Sequence, residues 1–379
     1  MSQAIIYLDN AATTPVLPEV ADLMYQAMKH NHGNPSSIHQ LGRHARVEVE
    51  KARRAMAVML NVQPGEIFFT SGGTEGNNAI LAGCARELGR KHFITSRLEH
   101  PSVLNMLHAL EKNDSCSVSY VNFDSKGILD LHHLEQLLQQ THESVVTLMH
   151  ANNEIGNLLP IKEVGNLCKK YNSLFHSDTV QTVGKLALDL QKLPIDFAVM
   201  SAHKFHGPKG VGAMYVRAGA GMQPYLVGGA QERNMRAGTE NVPGIMGMAK
   251  ALEVVSGSLD TTFAHISGLR SYLIETLPRE IPGLQFLGDV AGSSLYTILN
   301  LALPCKIEPR QLMGLLDLAG ICLSTGSACS SGSNKPSAVL LALGMEPLTP
   351  NLRISFNRYN TLEEVKKLVK VLKKITTPG

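Results

Sequence analysis

EIFFTSGGTEGNN, residues 66–78, is the stretch on which the reading of this chain turns. Ile67 to Thr70 are all β-branched or aromatic, the composition of a short strand buried on both faces. Gly72 and Gly73 stop the run, and AILAGCARELG (79–89) follows with a helical apolar pattern. Strand, glycine turn and helix make half of a β–α–β unit, and a fold built of such units repeats the rhythm.

The rhythm does repeat. Upstream, RHARVEVEKARRAMAVML (43–60) sets Ala45, Val49, Ala52, Met56 and Leu60 at helical spacing. Downstream come HFITS (92–96), a helix around Val103 to Glu111, SVSYV (117–121), a helix over Leu131–Gln140, and VVTLM (145–149). A helix over Ile161–Lys170, then SLFHSD, DFAVMS and VGAMYV, complete the series. Alternation of this kind predicts an α/β fold with a mainly parallel sheet between helices, its binding groups in loops at the carboxyl ends of the strands. The polar clusters fall there: SGGTEGNN after IFFT, HANNEIG after VVTLM, HSDTVQ after SLF, SAHKFHGPKG after FAVM. From about Ala249 the texture changes to that of a smaller α+β unit, closed by a helix in which Thr361 and Glu364 form a capping-box pair. The expected division is an N-terminal segment (1–15) joining the small domain, a large domain (16–248) and a small C-terminal domain (249–379).

Composition narrows the class. The 379 residues carry 35 basic and 32 acidic side chains, a net charge of +3 that gives no reason to expect nucleic acid or a membrane surface as partner. The start has no basic and apolar leader pattern, and Leu312–Leu323, the longest apolar candidate for a span, is short and contains Asp317. Six dispersed cysteines offer no CxxC or Cys/His cluster, so free thiols in a reducing, cytoplasmic setting and no structural metal are expected. Cys329 is the odd one. It sits in STGSACSSGS (324–333), a Gly/Ser-rich loop with nothing apolar to bury a thiol.

Four features carry chemistry, and each also has a bland reading. SGGTEGNN suits an anion at a helix N-terminus, or is a plain β-to-α turn. Lys204, following an apolar strand with Ser201, His203 and His206 beside it, suits Schiff-base chemistry, or is a surface lysine near a turn. Asp178 suits a protonated heteroaromatic nitrogen, or caps a helix. His100 stacks on a planar cofactor, or only marks a helix entrance. Taken together on an α/β frame they suggest pyridoxal phosphate.

At this point the chain resembles a known family. YLDNAATTP, TSGGTEGNN, LEHPSV, MHANNEIG, HSDTVQTVGK, SAHKFHGPKG, RNMRAGTENV, STGSACSSGS and LRISF, spread over residues 7–358, are similar to the motifs of cysteine desulfurases of the NifS/IscS type. The resemblance implies the aspartate-aminotransferase-like fold and pyridoxal 5'-phosphate as cofactor. It implies Lys204 as the Schiff-base lysine and proton shuttle, Asp178 on the pyridine nitrogen, His100 stacked on the ring and Gln181 on the phenolic oxygen. Gly73, Thr74, Ser201 and His203 would hold the phosphate, with Thr239 reaching the phosphate of a neighbouring subunit in a homodimer. Asn153 and Arg353 would hold the carboxylate of L-cysteine. Cys329, on a loop spanning about 324–336, would be the nucleophile that takes sulfur as a persulfide, with His100 as acid–base partner. A sulfur-acceptor protein would then take the sulfur onward to iron–sulfur clusters or thio-cofactors. No resident metal is implied, although Cys329 could transiently ligate a cluster with a scaffold partner.

Two departures stand out. Where the family often has Glu-Ser-Asp-Asn after GGT, this chain has Glu75, Gly76, Asn77 and Asn78. The chain also ends about 50 residues after Cys329, without the longer tail that docks a scaffold in housekeeping members. Selenocysteine lyase, aminotransferase and an inactive scaffold or regulator of the same fold are the rival readings.

Overall fold

A computed structural model describes residues 5–114, 116–141, 143–223, 225–325 and 337–376. After β1 (Ile6–Tyr7), two helices, α1 (Pro18–His30) and α2 (Gln40–Leu60), precede the alternating region. That region runs β2 (Ile67–Thr70), α3 (Gly73–Arg86), β3 (His92–Thr95), α4 (Pro101–Asn113), β4 (Ser117–Tyr120), α5 (Leu131–Gln140) and β5 (Val145–Thr147). It continues with α6 (Ile161–Lys170), β6 (Leu174–Asp178), β7 (Phe197–Ser201) and β8 (Gly212–Val216), and α7 (Val242–Ser256) closes it.

These strands form one seven-stranded sheet in the order β2-β8-β7-β6-β5-β3-β4. All neighbours pair parallel except β8, which runs antiparallel to both β2 and β7. Because β8 is reversed between them, β2 and β7 point the same way. The carboxyl ends of β2, β3, β5, β6 and β7 therefore open on one edge. The pleat sorts each strand's side chains between two helical layers. Phe68, Phe93, Val145, Phe197 and Val199 pack with α3 and α4, whereas Ile67, Phe69, Ile94, Val146, Ala198 and Met200 pack with α2, α5, α6 and α7.

A second core gathers the remaining elements: α8 (Leu259–Glu280), β9 (Gln285–Leu287), β10 (Ile298–Ala302), α9 (Pro309–Leu318), β11 (Ile321–Cys322), β12 (Asn351–Ser355) and α11 (Leu362–Thr376), with α10 (Ala338–Ala342) at its margin. β12, β10 and β9 form an antiparallel sheet, and β1 pairs parallel with β11, bringing Leu8 and Ala11 into this smaller core. The α11 cap forms as the sequence predicts: Thr361 N–H donates to Glu364 Oε2 at 2.9 Å and Glu364 N–H to Thr361 Oγ1 at 3.2 Å. The two cores join through Gly257 and Ser258, between α7 and α8, so Ala249 lies inside the last helix of the larger one. No helix among the described residues is long and apolar enough to cross a membrane. Among them there is also no group of three His, Cys, Asp or Glu that could hold a metal ion.

Candidate active site

The shared strand-end edge encloses a cavity of about 210 Å³. Ten of the residues expected from sequence line it. Gly73 and Thr74 come from the start of α3, His100 from the entrance of α4, and Asn153 from the turn after β5. Asp178 ends β6 and Gln181 follows it, Ser201 ends β7 and His203 and Lys204 follow it, and Arg353 comes from β12 of the smaller core. Thr239 is exposed and is not among the lining residues. Cys329 lies outside the described residues, although Ser324, at the start of its quoted stretch, accepts Arg353 N–H at 2.7 Å through its carbonyl.

The α3 end is open to an anion. Its first turn points the N–H groups of Gly73, Thr74 and Glu75 ahead of any intrahelical acceptor, and the helix dipole adds positive potential. Gly76, one of the departures from the family pattern, has a packing cause: a Cβ there would lie 2.8 Å from Val199 Cγ1 of β7. The glycine lets α3 sit directly on the strand that delivers Lys204.

Lys204 occupies a short 3₁₀ turn, Ala202–Lys204, and its Nζ donates to the carbonyls of Ala11 and Ala12 at 2.6 and 2.8 Å. These two acceptors belong to YLDNAATTP, which is itself fixed from both cores. Ala11 N–H donates to Ser355 Oγ at 2.9 Å, and Thr14 N–H to His203 O at 2.9 Å. His203 is pulled down to about 4, first by burial and then by the charges of Lys204, Lys209 and Lys185, so it faces the cavity as a neutral ring.

Asp178 is 7% exposed and does not cap a helix. Its Oδ1 accepts Val180 N–H at 3.0 Å and its Oδ2 accepts Asn77 Nδ2 at 2.8 Å, so both oxygens are held as acceptors. His100 is the N-cap of α4, accepting Ser102 N–H, and it also lines the cavity. Arg353, 1% exposed, donates through Nη1 to Asn153 O and through Nη2 to Asp9 Oδ1, each at 2.9 Å. Its Nε is buried and has no partner among the described residues, and each Nη carries a second N–H beyond the bond it makes.

Sequence reasoning assigned no role to several neighbours. Ala11 and Ala12 act through backbone carbonyls, which leave no side-chain signature. Glu99 stood unread inside LEHPSV. Burial pushes its carboxyl well above the usual range despite the bond it accepts from Met149 N–H at 2.7 Å, and the charge of Asp178 pushes it further. Lys185, at the end of HSDTVQTVGK, donates to Gln181 Oε1 at 2.9 Å, which turns the Gln181 amide so that Nε2 meets Ala11 O at 3.0 Å.

Burial, then the charges of Lys204 and Arg353, pull the Lys185 ammonium down to about 7 from 10.5. A folded-state value below the unfolded one means that the unfolded chain binds more protons between about pH 7 and 10, so stability rises with pH across that window. Lys185→Met is expected to flatten this rise, measured by denaturant unfolding of the cofactor-free protein at pH 7 and 9. An unchanged slope in the variant would assign the rise to other groups.

With the geometry in place, comparison with known proteins gives a consistent answer. Residues 6–368 match the aminotransferase class-V family. The chain belongs to that family. Among class-V relatives, a cysteine desulfurase IscS of Dictyoglomus turgidum is 41% identical over 374 residues, covering 98% of this chain and 94% of its own. A cysteine desulfurase of a Nostoc species is likewise 41% identical over 375 residues, covering 98% and 93%. Among solved structures, a NifS-like protein superposes with a TM-score of 0.90 at 38% identity, covering 98% of this chain and 99% of its own. A protein called SspA, solved in complex with cysteine, superposes at 0.80 with 30% identity, covering 94% and 100%.

Proposed function

We propose that this chain is a pyridoxal-phosphate-dependent cysteine desulfurase that converts L-cysteine to L-alanine and stores the sulfur as a persulfide on Cys329. The observation that carries the proposal is the gathering of ten expected site residues around one cavity, in a chain about 41% identical to cysteine desulfurases over nearly its full length.

The donor set suits the cofactor. An anion-binding helix end with Ser201 and His203 beside it, a buried carboxylate, a histidine ring and a lysine amine share the cavity. Gly73, Thr74, Ser201 and His203 would hold its phosphate, Asp178 its pyridine nitrogen, Gln181 its phenolic oxygen and Lys204 its carbonyl carbon. When bound, pyridoxal phosphate supplies the electron sink that labilises bonds at the α and β carbons of the substrate.

The remaining chemistry belongs to the chain. Arg353, steadied by Asp9 and by the carbonyl of Asn153, would take the substrate carboxylate. Lys204 would serve as the base that moves the α proton of the substrate. The Cys329 thiolate would attack the substrate sulfur: the new S–S bond forms as the S–C bond breaks, its electron pair stays on the three-carbon skeleton, and protonation there completes alanine. The persulfide would then pass to an acceptor protein. A homodimer fits the position of Thr239, which is exposed and set away from its own chain's cavity. A cytoplasmic location completes the reading.

The decisive comparison is wild type against Cys329→Ala with L-cysteine. The variant is expected to keep the visible absorption of the bound cofactor, lose sulfide release by about 10²-fold or more, and carry no persulfide by mass spectrometry. Normal sulfide release from the variant would remove Cys329 from the nucleophile's role.

A further inference from the structure

Asn77, where the family often has aspartate, is buried inside the site and connects two of its functional side chains. It is 1% exposed on the first turns of α3. Its Nδ2 lies 2.8 Å from Asp178 Oδ2 and 2.8 Å from Ser102 Oγ. Ser102 Oγ lies in turn 2.7 Å from His100 Nδ1, which also accepts Ser102 N–H at 3.1 Å.

The direction of every proton in this chain follows from what each group can give. Asp178 accepts on both oxygens, so it must receive an N–H from Asn77, and this fixes the amide orientation. The second N–H of the same Nδ2 goes to Ser102 Oγ. Ser102 has one hydroxyl proton to place, and His100 Nδ1 is the acceptor in range. Two donors, the hydroxyl and the backbone N–H of Ser102, thus converge on Nδ1. A ring nitrogen that accepts carries no proton, and the neutral ring must then hold its proton on the other nitrogen.

We propose that Asn77 and Ser102 are positioning residues that lock His100 as the Nε2–H tautomer, so that it serves the reaction as a hydrogen-bond donor through Nε2 and not as a proton acceptor. An aspartate at position 77 could not do this. It would set a second carboxylate against Asp178 and would take the Ser102 hydroxyl proton for itself, leaving the Ser102 backbone N–H as the one donor of the pair still on Nδ1.

The functional half of the inference rests on the cysteine desulfurase reading; the tautomer does not. Nitrogen-15 NMR of histidine-labelled holoenzyme, with the His100 signal assigned by its loss in His100→Asn, reads the tautomer directly. Wild type is expected to show Nε2–H, and Ser102→Thr, which keeps the hydroxyl, the same. Asn77→Asp and Ser102→Ala each take the hydroxyl donor from Nδ1 and leave the Ser102 backbone N–H on it, so each is expected to raise the Nδ1–H form from undetectable to a measurable minor fraction and to slow single-turnover persulfide formation by roughly tenfold, with cofactor still bound. Nδ1–H in the wild type would overturn the proposal, and so would an unchanged tautomer in Ser102→Ala, which guards against a folding failure of Asn77→Asp. If the wild type forms no persulfide, the desulfurase reading fails while the tautomer result stands by itself.

Discussion

Replacing Lys204 by alanine is expected to abolish cysteine turnover, by at least about 10³-fold, in a protein that still folds. The fold should survive because the Nζ atom bonds the carbonyls of Ala11 and Ala12 beside a cavity that water can enter, so neither acceptor is stranded in an apolar core. The activity should not survive, because one amine is asked both to hold the cofactor and to move the α proton. Lys204→Arg separates charge from nucleophilicity: a guanidinium can keep both carbonyl contacts but is not a usable nucleophile or base. Alanine release should vanish in both variants, and borohydride treatment with pyridoxal phosphate should fix cofactor to the wild type alone. Turnover retained in Lys204→Arg would reduce the lysine to an electrostatic role.

Lys204 was legible in the sequence for a reason that extends to its neighbours. The expected residues that share the cavity, Arg353 apart, each lie within a few positions of a strand's carboxyl end, and those ends open on one edge of the sheet. IFFT, VVTLM, SLFHSD and FAVMS announce those ends; Asp178 closes its run, and Thr74, Asn153 and Lys204 follow theirs. Arg353 was not legible in this way, since it comes from a different core; only the family resemblance pointed to it. Strand direction was hidden as well. VGAMYV reads like any buried strand, and nothing in its composition says that β8 runs against both neighbours. Ala249 looked like a junction because the texture of the sequence changes there. The helix that contains it is still needed, however, to cover the larger sheet beside α1 and α2. The contacts that went unread are those whose partners are distant or main-chain. Asn77 meets Asp178 across 101 positions, and the carbonyls of Ala11 and Ala12 have no residue-type signature at all.

Another of these hidden contacts carries the largest expected effect on stability. Arg53 of α2 and Glu232 both have side chains only 2% exposed and pair bidentately at 2.8 and 2.7 Å. Arg53 also donates to Ile67 O at 2.7 Å and lies 4.7 Å from the Phe69 ring centroid, while Glu232 Oε2 accepts Phe69 N–H at 2.8 Å. This cluster holds a segment the backbone resists: Glu232, Arg233 and Asn234 have φ of 44°, 56° and 65°, at a cost of about 1–2 kcal/mol per residue for side chains with a Cβ. The same segment leads to Thr239. Glu232→Ala leaves a buried guanidinium with only the partly exposed Glu50 as counter-charge and releases the strained turn, so a loss of about 3–5 kcal/mol is expected in denaturant unfolding. Adding Arg53→Met removes the stranded charge and should recover much of that loss, because an apolar side chain needs no partner there. A single-variant loss below about 1 kcal/mol, or a double variant no better than Glu232→Ala, would mean that the turn is held by its own packing and not by the ion pair.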